Sequence, residues 1–159
     1  MSAQVQPFIS TVTGTLDSKG RVCIPASFRQ ILAAQNTPGV YICRSYSEAA
    51  LEGFGQLLLD AVNERFAKLD PLFSTEYDDE ATSLSPQTHL LTLDDQGRVR
   101  LPDEMIAHAG LKDQVVFVGM VQKFQIWDPQ RFAPVEAARI ARVRAKRELE
   151  LARRSGGGA

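Results

Sequence analysis

The sequence is poor in the residue types from which most active sites are built. Its 159 residues include only two histidines and two cysteines. Neither His89 nor His108 has a cysteine or carboxylate at a spacing typical of a metal site. No glycine-rich phosphate-binding loop joins a predicted strand to a predicted helix. We therefore expect no catalytic residue, no metal and no cofactor, and we predict that the protein is not an enzyme.

Long apolar runs are also absent. None approaches the roughly 20 residues that a membrane span requires, and residues 1–7 lack the basic start and apolar core of a signal peptide. We expect a cytoplasmic protein with no membrane partner.

The two cysteines, Cys23 and Cys43, lie on predicted strands, and we expect them to be buried free thiols rather than a disulfide or a reactive pair.

Charge is segregated along the chain although the total is only −1. Residues 48–80 contain nine acidic and two basic residues, a net charge of −7. Residues 131–154 contain eight basic and three acidic residues, a net charge of +5. This pattern disfavours a uniformly basic protein but allows local basic faces that bind an anionic partner.

A ten-residue pattern occurs twice and organises the chain. Residues 16–25 and 93–102 both read L-D-x-x-G-R-V-x-[I/L]-P, and the copies are offset by 77 positions. A repeat of this length indicates a tandem duplication of a small unit. A unit of about 45 residues is close to the size limit for folding alone, so we expect the two copies to pack together and to oligomerise.

Each copy predicts the same order of elements. The Asp-x-x-Gly segment is typical of a turn between two strands, which predicts a β-hairpin with its arginine near the tip. The proline that follows is suited to the start of a helix because it lacks an N–H group. Gly110 is placed to end the second helix. Two further strands complete the unit, so the sequence predicts a β-rich α+β fold.

The remaining segments connect or follow the two copies. We assign the first copy to residues 8–54, a helical and acidic connector to 55–86, the second copy to 87–132, a C-terminal helix to 133–154 and a disordered tail to 155–159. Residues 74–85 fit either a short helix or a loop. The apolar residues of the C-terminal helix, among them Ile140 and Val143, favour docking on the body of the protein. Its basic residues also fit a nucleic-acid contact, or neutralisation of the acidic connector in the same or a neighbouring subunit.

The repeated motif has two compatible interpretations. In a structural role, Asp17 and Asp94 brace the turns by accepting hydrogen bonds, and Gly20 and Gly97 allow the turn conformation. In a functional role, the turns present fixed guanidinium groups to phosphates or guanine edges. A two-stranded β-ribbon is one of the few elements that fits the DNA major groove.

The two motifs resemble those of the MraZ family of bacterial transcriptional regulators, and so do residues 109–111, 115–119 and 123–127 of the second copy. The resemblance covers residues 8 to about 132. It implies two tandem AbrB-like units (SpoVT-AbrB), packed as a pseudo-two-fold pair. It also implies a closed homo-oligomeric ring, octamer-like in size, that binds short direct repeats of double-stranded DNA in the promoter of the division and cell-wall gene cluster and represses it.

The same resemblance places the family's motif arginine at Arg21 and its repeat at Arg98. With the basic residues nearby, this gives a predicted set of DNA-binding residues: Lys19, Arg21, Arg29, Arg98 and Arg100. Because the first copy is the more basic, we expect Lys19 and Arg21 to be the leading contacts. The competing hypothesis is a non-enzymatic assembly scaffold or antitoxin-like module that binds proteins.

Overall fold

The computed structural model describes residues 6–157. They form two compact units, the first ending at Asp128 and the second beginning at Pro129. The first unit contains eight strands and four α-helices in this order: β1 Thr11–Thr15, β2 Arg21–Cys23, α1 Ala26–Ala34, β3 Val40–Arg44, β4 Leu51–Phe54, α2 Gln56–Phe66, α3 Thr75–Leu84, a 3-10 turn Ser85–Gln87, β5 His89–Leu91, β6 Arg98–Arg100, α4 Asp103–Ala109, β7 Gln114–Gly119 and β8 Phe124–Trp127. The predicted β-rich α+β class is confirmed.

Six strands form one sheet in the order β1-β7-β8-β4-β3-β5, and neighbouring strands within it pair antiparallel. The strands β1, β3 and β4 of the first copy correspond to β5, β7 and β8 of the second. Replacing each strand by its equivalent gives the same order, read from the opposite edge of the sheet. Each copy's first strand pairs with a strand of the other copy: β1 with β7 and β5 with β3. The two copies therefore complete each other's sheet.

The two turns form as predicted, but the predicted pairing of the strands on either side of each turn is wrong. After the first turn, a single bridge joins Leu16 to Val22, and the ladder of β2 is formed with β6 of the other copy. The reason is that β1 is already paired with β7. A lone two-stranded hairpin is at best marginally stable in water, whereas exchange of strands lets both motifs bury an apolar face.

The strands β2 and β6 form a separate two-stranded sheet, which we call the ribbon. Val22 of one motif is opposite Val99, its equivalent in the other, and each is only 1% exposed. Burying a valine contributes about 1.5–3 kcal/mol. The inner face of the ribbon thus ties the two copies to one core.

That core is rich in aromatic rings. The ring centroids of Phe8 and Phe28 lie 5.4 Å apart, and those of Phe28 and Phe124 lie 5.0 Å apart. Phe117 packs on the same cluster, with its centroid 6.3 Å from that of Phe124. Because β1, α1, β7 and β8 supply or border these rings, the core is shared by both copies.

The helices follow the sequence signals. Both α1 and α4 begin directly after the motif proline, and α4 ends at Gly110, which has a left-handed φ of 60°. The undecided segment at 74–85 is mostly the helix α3, and the Ser74 hydroxyl accepts a hydrogen bond of 3.1 Å from the Tyr77 N–H at its start. Ser74 therefore caps the helix.

The second unit is one helix, α5 Pro129–Gly156. It extends two residues beyond the predicted boundary at 154, and residues 158–159 of the predicted tail lie outside the described residues. The docking of Ile140 and Val143 on the body stays a prediction. Within residues 6–157, no helix combines the length and apolar character needed to cross a membrane.

The cysteine prediction is correct for one residue only. Both thiols are free, but Cys23 is exposed and Cys43 is buried. Cys23 alternates with the buried Val22 on β2, so its side chain lies on the outer face of the ribbon. Burial raises the pKa of the Cys43 thiol to about 11, with a further contribution from Glu52, so it stays protonated at neutral pH.

The pairing of β4 with β8 generates a prediction about packing. Gly53 is opposite Phe124 in the centre of the sheet, and a Cβ at this glycine would overlap the buried phenyl ring. Overpacking of a core costs about 1–3 kcal/mol. We expect Gly53→Ala to lower the free energy of unfolding by that amount in urea denaturation.

Gly156→Ala is the matched control because a Cβ there meets no atom within 4 Å. It should leave stability unchanged or raise it slightly. Equal stability of Gly53→Ala and the wild type would contradict the described contact between β4 and β8.

Candidate nucleic-acid interface

The first motif turn is built around one carboxylate. Asp17 Oδ1 accepts hydrogen bonds from the backbone N–H groups of Lys19 and Arg21, at 2.9 and 2.8 Å. Asp17 Oδ2 accepts a third from Arg21 Nε at 2.8 Å. Gly20 has a φ of 78°, a conformation that costs a residue with a side chain about 1 kcal/mol or more. The aspartate thus fixes both the turn and the arginine that follows it.

The second motif repeats this geometry. Asp94 Oδ1 accepts from the N–H groups of Gln96 and Arg98, both at 2.9 Å, and Oδ2 accepts from Arg98 Nε at 2.8 Å. Gly97 has a φ of 81°. The bracing role predicted for Asp17, Gly20, Asp94 and Gly97 corresponds to these contacts.

The braced arginines keep hydrogen-bonding capacity. Arg21 and Arg98 are 29% and 32% exposed, and each uses Nε for its aspartate. Among residues 6–157, no acceptor receives a hydrogen bond from the terminal guanidinium nitrogens of either arginine. A guanidinium in this state can still donate to a phosphate or to the edge of a guanine.

Pairing of the motifs brings the arginines together. Arg21 is directly opposite Arg100, and Cys23 is directly opposite Arg98. Val22 and Val99 alternate with these residues and are buried, so the four share the outer face of the ribbon, which we call the ribbon face. Both are non-hydrogen-bonded pairs of the antiparallel ladder. The positions next to them are hydrogen-bonded: Ile24 N donates to Gly97 O, and Leu101 N donates to Gly20 O. Side chains are closest at non-hydrogen-bonded pairs.

Placing Arg21 opposite Arg100 is unfavourable for the isolated protein, because like charges directly across a sheet repel each other. Asp17 offsets the charge of Arg21 at 2.8 Å. Arg100 is exposed and forms no salt bridge with any residue in the described range. The ribbon face therefore has an uncompensated positive charge that an anion would stabilise.

Arg29 has a different position from the one implied by its place in the sequence. It belongs to α1 of the first copy, yet its guanidinium lies against Gly97 in the turn of the second copy. Its Nε is buried and has no hydrogen-bond partner among the described residues. The equivalent position in the second copy is Ile106, whose side chain lies 3.4 Å from the Cβ position at Gly20.

This arrangement modifies the expected asymmetry between the motifs. The first turn has Lys19 in addition to Arg21, whereas the second has Gln96 in the position of that lysine. Arg29 supplies a second cation at the second turn from the other copy. Each turn therefore has two basic residues close by, and the higher charge of the first copy does not by itself make its turn the more basic one.

The structure thus unites most of the predicted cations. Arg21, Arg98 and Arg100 lie on the ribbon face, Lys19 lies in the adjacent turn, and Arg29 lies beneath the other turn. Sequence reasoning missed the pairing of Arg21 with Arg100. The signal that was available is the matching of the two motifs, since equivalent short strands can pair with each other about their central valines.

Among residues 6–157, no group of three or more His, Cys, Asp or Glu residues is placed to hold a metal ion.

The bracing contacts predict the titration of both aspartates. Hydrogen bonds from the Arg21 and Arg98 backbones, followed by those from their side chains, hold the pKa of Asp17 and Asp94 below the ordinary value of 3.8. Their contribution to stability is therefore complete above that value and is lost as pH falls through the lowered pKa. NMR titration of the carboxyl carbons should give a pKa below 3.8 for both residues; a value at or above it for either would contradict the described turn.

Comparison with known proteins identifies the same family as the repeated motif. Residues 85–153 match the family model described as "MraZ protein, putative antitoxin-like". Among the relatives is a protein of Xanthobacter autotrophicus named "Transcriptional regulator MraZ", which is 40% identical over 89% of each chain. Another of that name, from Azorhizobium caulinodans, is 39% identical over 95% of this chain and 94% of the relative. A third, from Beijerinckia indica, is 42% identical over 79% of this chain and 76% of the relative. The chain belongs to the MraZ family.

Proposed function

We propose that the protein is a transcriptional regulator that binds double-stranded DNA through the ribbon face. The observation that carries the proposal is the antiparallel pairing of β2 with β6, which places Arg21, Arg98 and Arg100 on one exposed face. The names of the relatives support the regulatory role. The arrangement of the face supports DNA as the ligand.

The ribbon has the shape that DNA recognition requires. A two-stranded antiparallel ribbon fits the major groove, where a guanidinium can donate two hydrogen bonds to guanine O6 and N7. Arg21 and Arg98 are held by aspartates at 2.8 Å, so less side-chain freedom is lost when they bind. Lys19 lies in the turn at one end of the ribbon, and the half-buried Arg29 lies beneath the turn at the other end. Both positions suit contacts with phosphates that flank the groove.

Oligomerisation explains how a chain with a net charge of −1 can bind DNA usefully. One ribbon makes few contacts, but linked subunits raise the effective concentration of each further contact. We therefore propose a homo-oligomeric ring, octamer-like as the family resemblance implies, whose subunits bind successive direct repeats. On the same basis, the site is the promoter of the division and cell-wall gene cluster, the effect is repression, and the protein is cytoplasmic and associated with the nucleoid.

Replacement of the first motif arginine tests the interface. Arg21→Ala removes a guanidinium without removing any residue of the core, so the oligomer should remain intact. Loss of a base contact costs about 1–3 kcal/mol, so Kd for promoter DNA should rise about fivefold or more. If the arginine contacts phosphate instead, the slope of log K against log salt should fall by about one per contact. Fluorescence anisotropy across a salt series measures both effects.

Lys68→Ala is the control, since it removes one positive charge from an exposed position that follows the connector helix α2. It should leave promoter affinity unchanged. Unchanged affinity of Arg21→Ala would refute the assignment of that residue. Unfolding of Arg21→Ala would show that bracing of the turn is its main role. Equal affinity of the wild-type protein for promoter repeats and scrambled DNA of the same length would favour a protein-binding scaffold.

A further inference from the structure

The connector helices α2 and α3 carry an apolar groove. Neither helix has a fully buried residue, although both bear apolar side chains at helical spacing. With the edge of the sheet they line a groove of about 410 Å³. Its apolar lining includes six large side chains: Tyr41, Phe54, Val62, Phe66, Tyr77 and Leu84. At the turn between the helices, Leu72 and Phe73 are 82% and 86% exposed. Apolar surface of this extent favours a protein partner.

The groove is surrounded by negative charge. Residues 56–85 contain seven acidic and two basic residues, a net charge of −5. A second copy of the same surface would be repelled by it, so an interface that pairs the groove with itself is disfavoured. The occupant must have an apolar stripe flanked by cations.

One element of the chain has that chemistry. The helix α5 carries eight basic and three acidic residues, and Ile140, Val143 and Leu151 lie along one side of it, interspersed with Arg144 and Arg147. All three apolar residues are exposed. An apolar stripe lined by basic residues is the pattern by which an amphipathic helix binds a groove.

We propose that α5 of one copy docks in the α2–α3 groove of a second copy. The contact uses two different surfaces, so it is heterologous, and a heterologous contact forms a ring when its rotation closes. The inference rests on the proposed homo-oligomer and identifies which surfaces join its subunits. The contact between opposite charges also predicts weakening at high salt.

Two single substitutions test the two surfaces separately. Val143→Asp places a charge in the stripe of α5. Asn63→Arg places a long cation at the exposed rim of the groove, where Asn63 is one of the lining residues. Both positions are solvent-exposed in the single chain, so both variants should fold, as circular dichroism will verify. In light scattering after size exclusion, each variant should lose the wild-type oligomer and give a monomer of 17.5 kDa.

Mixing the variants gives the decisive result. Val143→Asp keeps an intact groove and Asn63→Arg keeps an intact helix, so one good contact exists between them and a dimer of twice 17.5 kDa should form. Failure of the mixture to associate would overturn a head-to-tail contact. Leu149→Asp is the control, because nine residues at about 100° each place Leu149 on the opposite side of α5 from Ile140. It should keep the wild-type mass.

The outcomes separate this inference from the DNA proposal. The masses are measured without DNA, so a wild-type mass for both variants would overturn the interface and leave the ribbon face untouched. A monomeric wild-type protein would overturn it too. If Val143→Asp kept its mass but lost affinity for DNA, α5 would be a nucleic-acid contact instead. Loss of DNA binding by Arg21→Ala with an intact oligomer would leave the docking of α5 standing.

Discussion

The antiparallel pairing of β2 with β6 is the interaction on which the rest of the first unit depends. Each strand has only three residues, yet Val22 and Val99 are almost fully buried where they meet. Two copies that are each near the lower size limit for folding thereby share one core. The exchange of β1 and β5 between the copies adds to the same effect. A single motif could not bury its valine in this way.

The same pairing explains the chemistry of the outer face. Since strand side chains alternate, burying the two valines requires their neighbours to point outward, and those neighbours include three arginines. Two of them are fixed by aspartates of their own turns. The structural and functional interpretations of the motif are therefore one arrangement, in which the residue that closes the turn also orients the guanidinium. Arg29 adds a cation to the turn that lacks the lysine.

Much of this could be predicted from local signals. Turn residues, motif prolines and Gly110 gave the order of strands and helices, and the motif gave the basic residues. The partner of each strand could not be predicted, because a turn between two strands is equally compatible with local pairing and with exchange. The exposure of Cys23 and the position of Arg29 depend on that exchange.

A disulfide across the ribbon tests the exchanged pairing most directly. Cys23 is opposite Arg98 at a non-hydrogen-bonded position, where Cα atoms lie about 4.5 Å apart, within the range for a disulfide. Arg98→Cys in a Cys43→Ala background should form a disulfide with Cys23 under mild oxidation. Peptide mapping should locate it between positions 23 and 98, a non-reducing denaturing gel should show the mass of one chain, 17.5 kDa, and the folded state should persist. No disulfide, or one that links different chains only, would contradict the pairing of the two motifs.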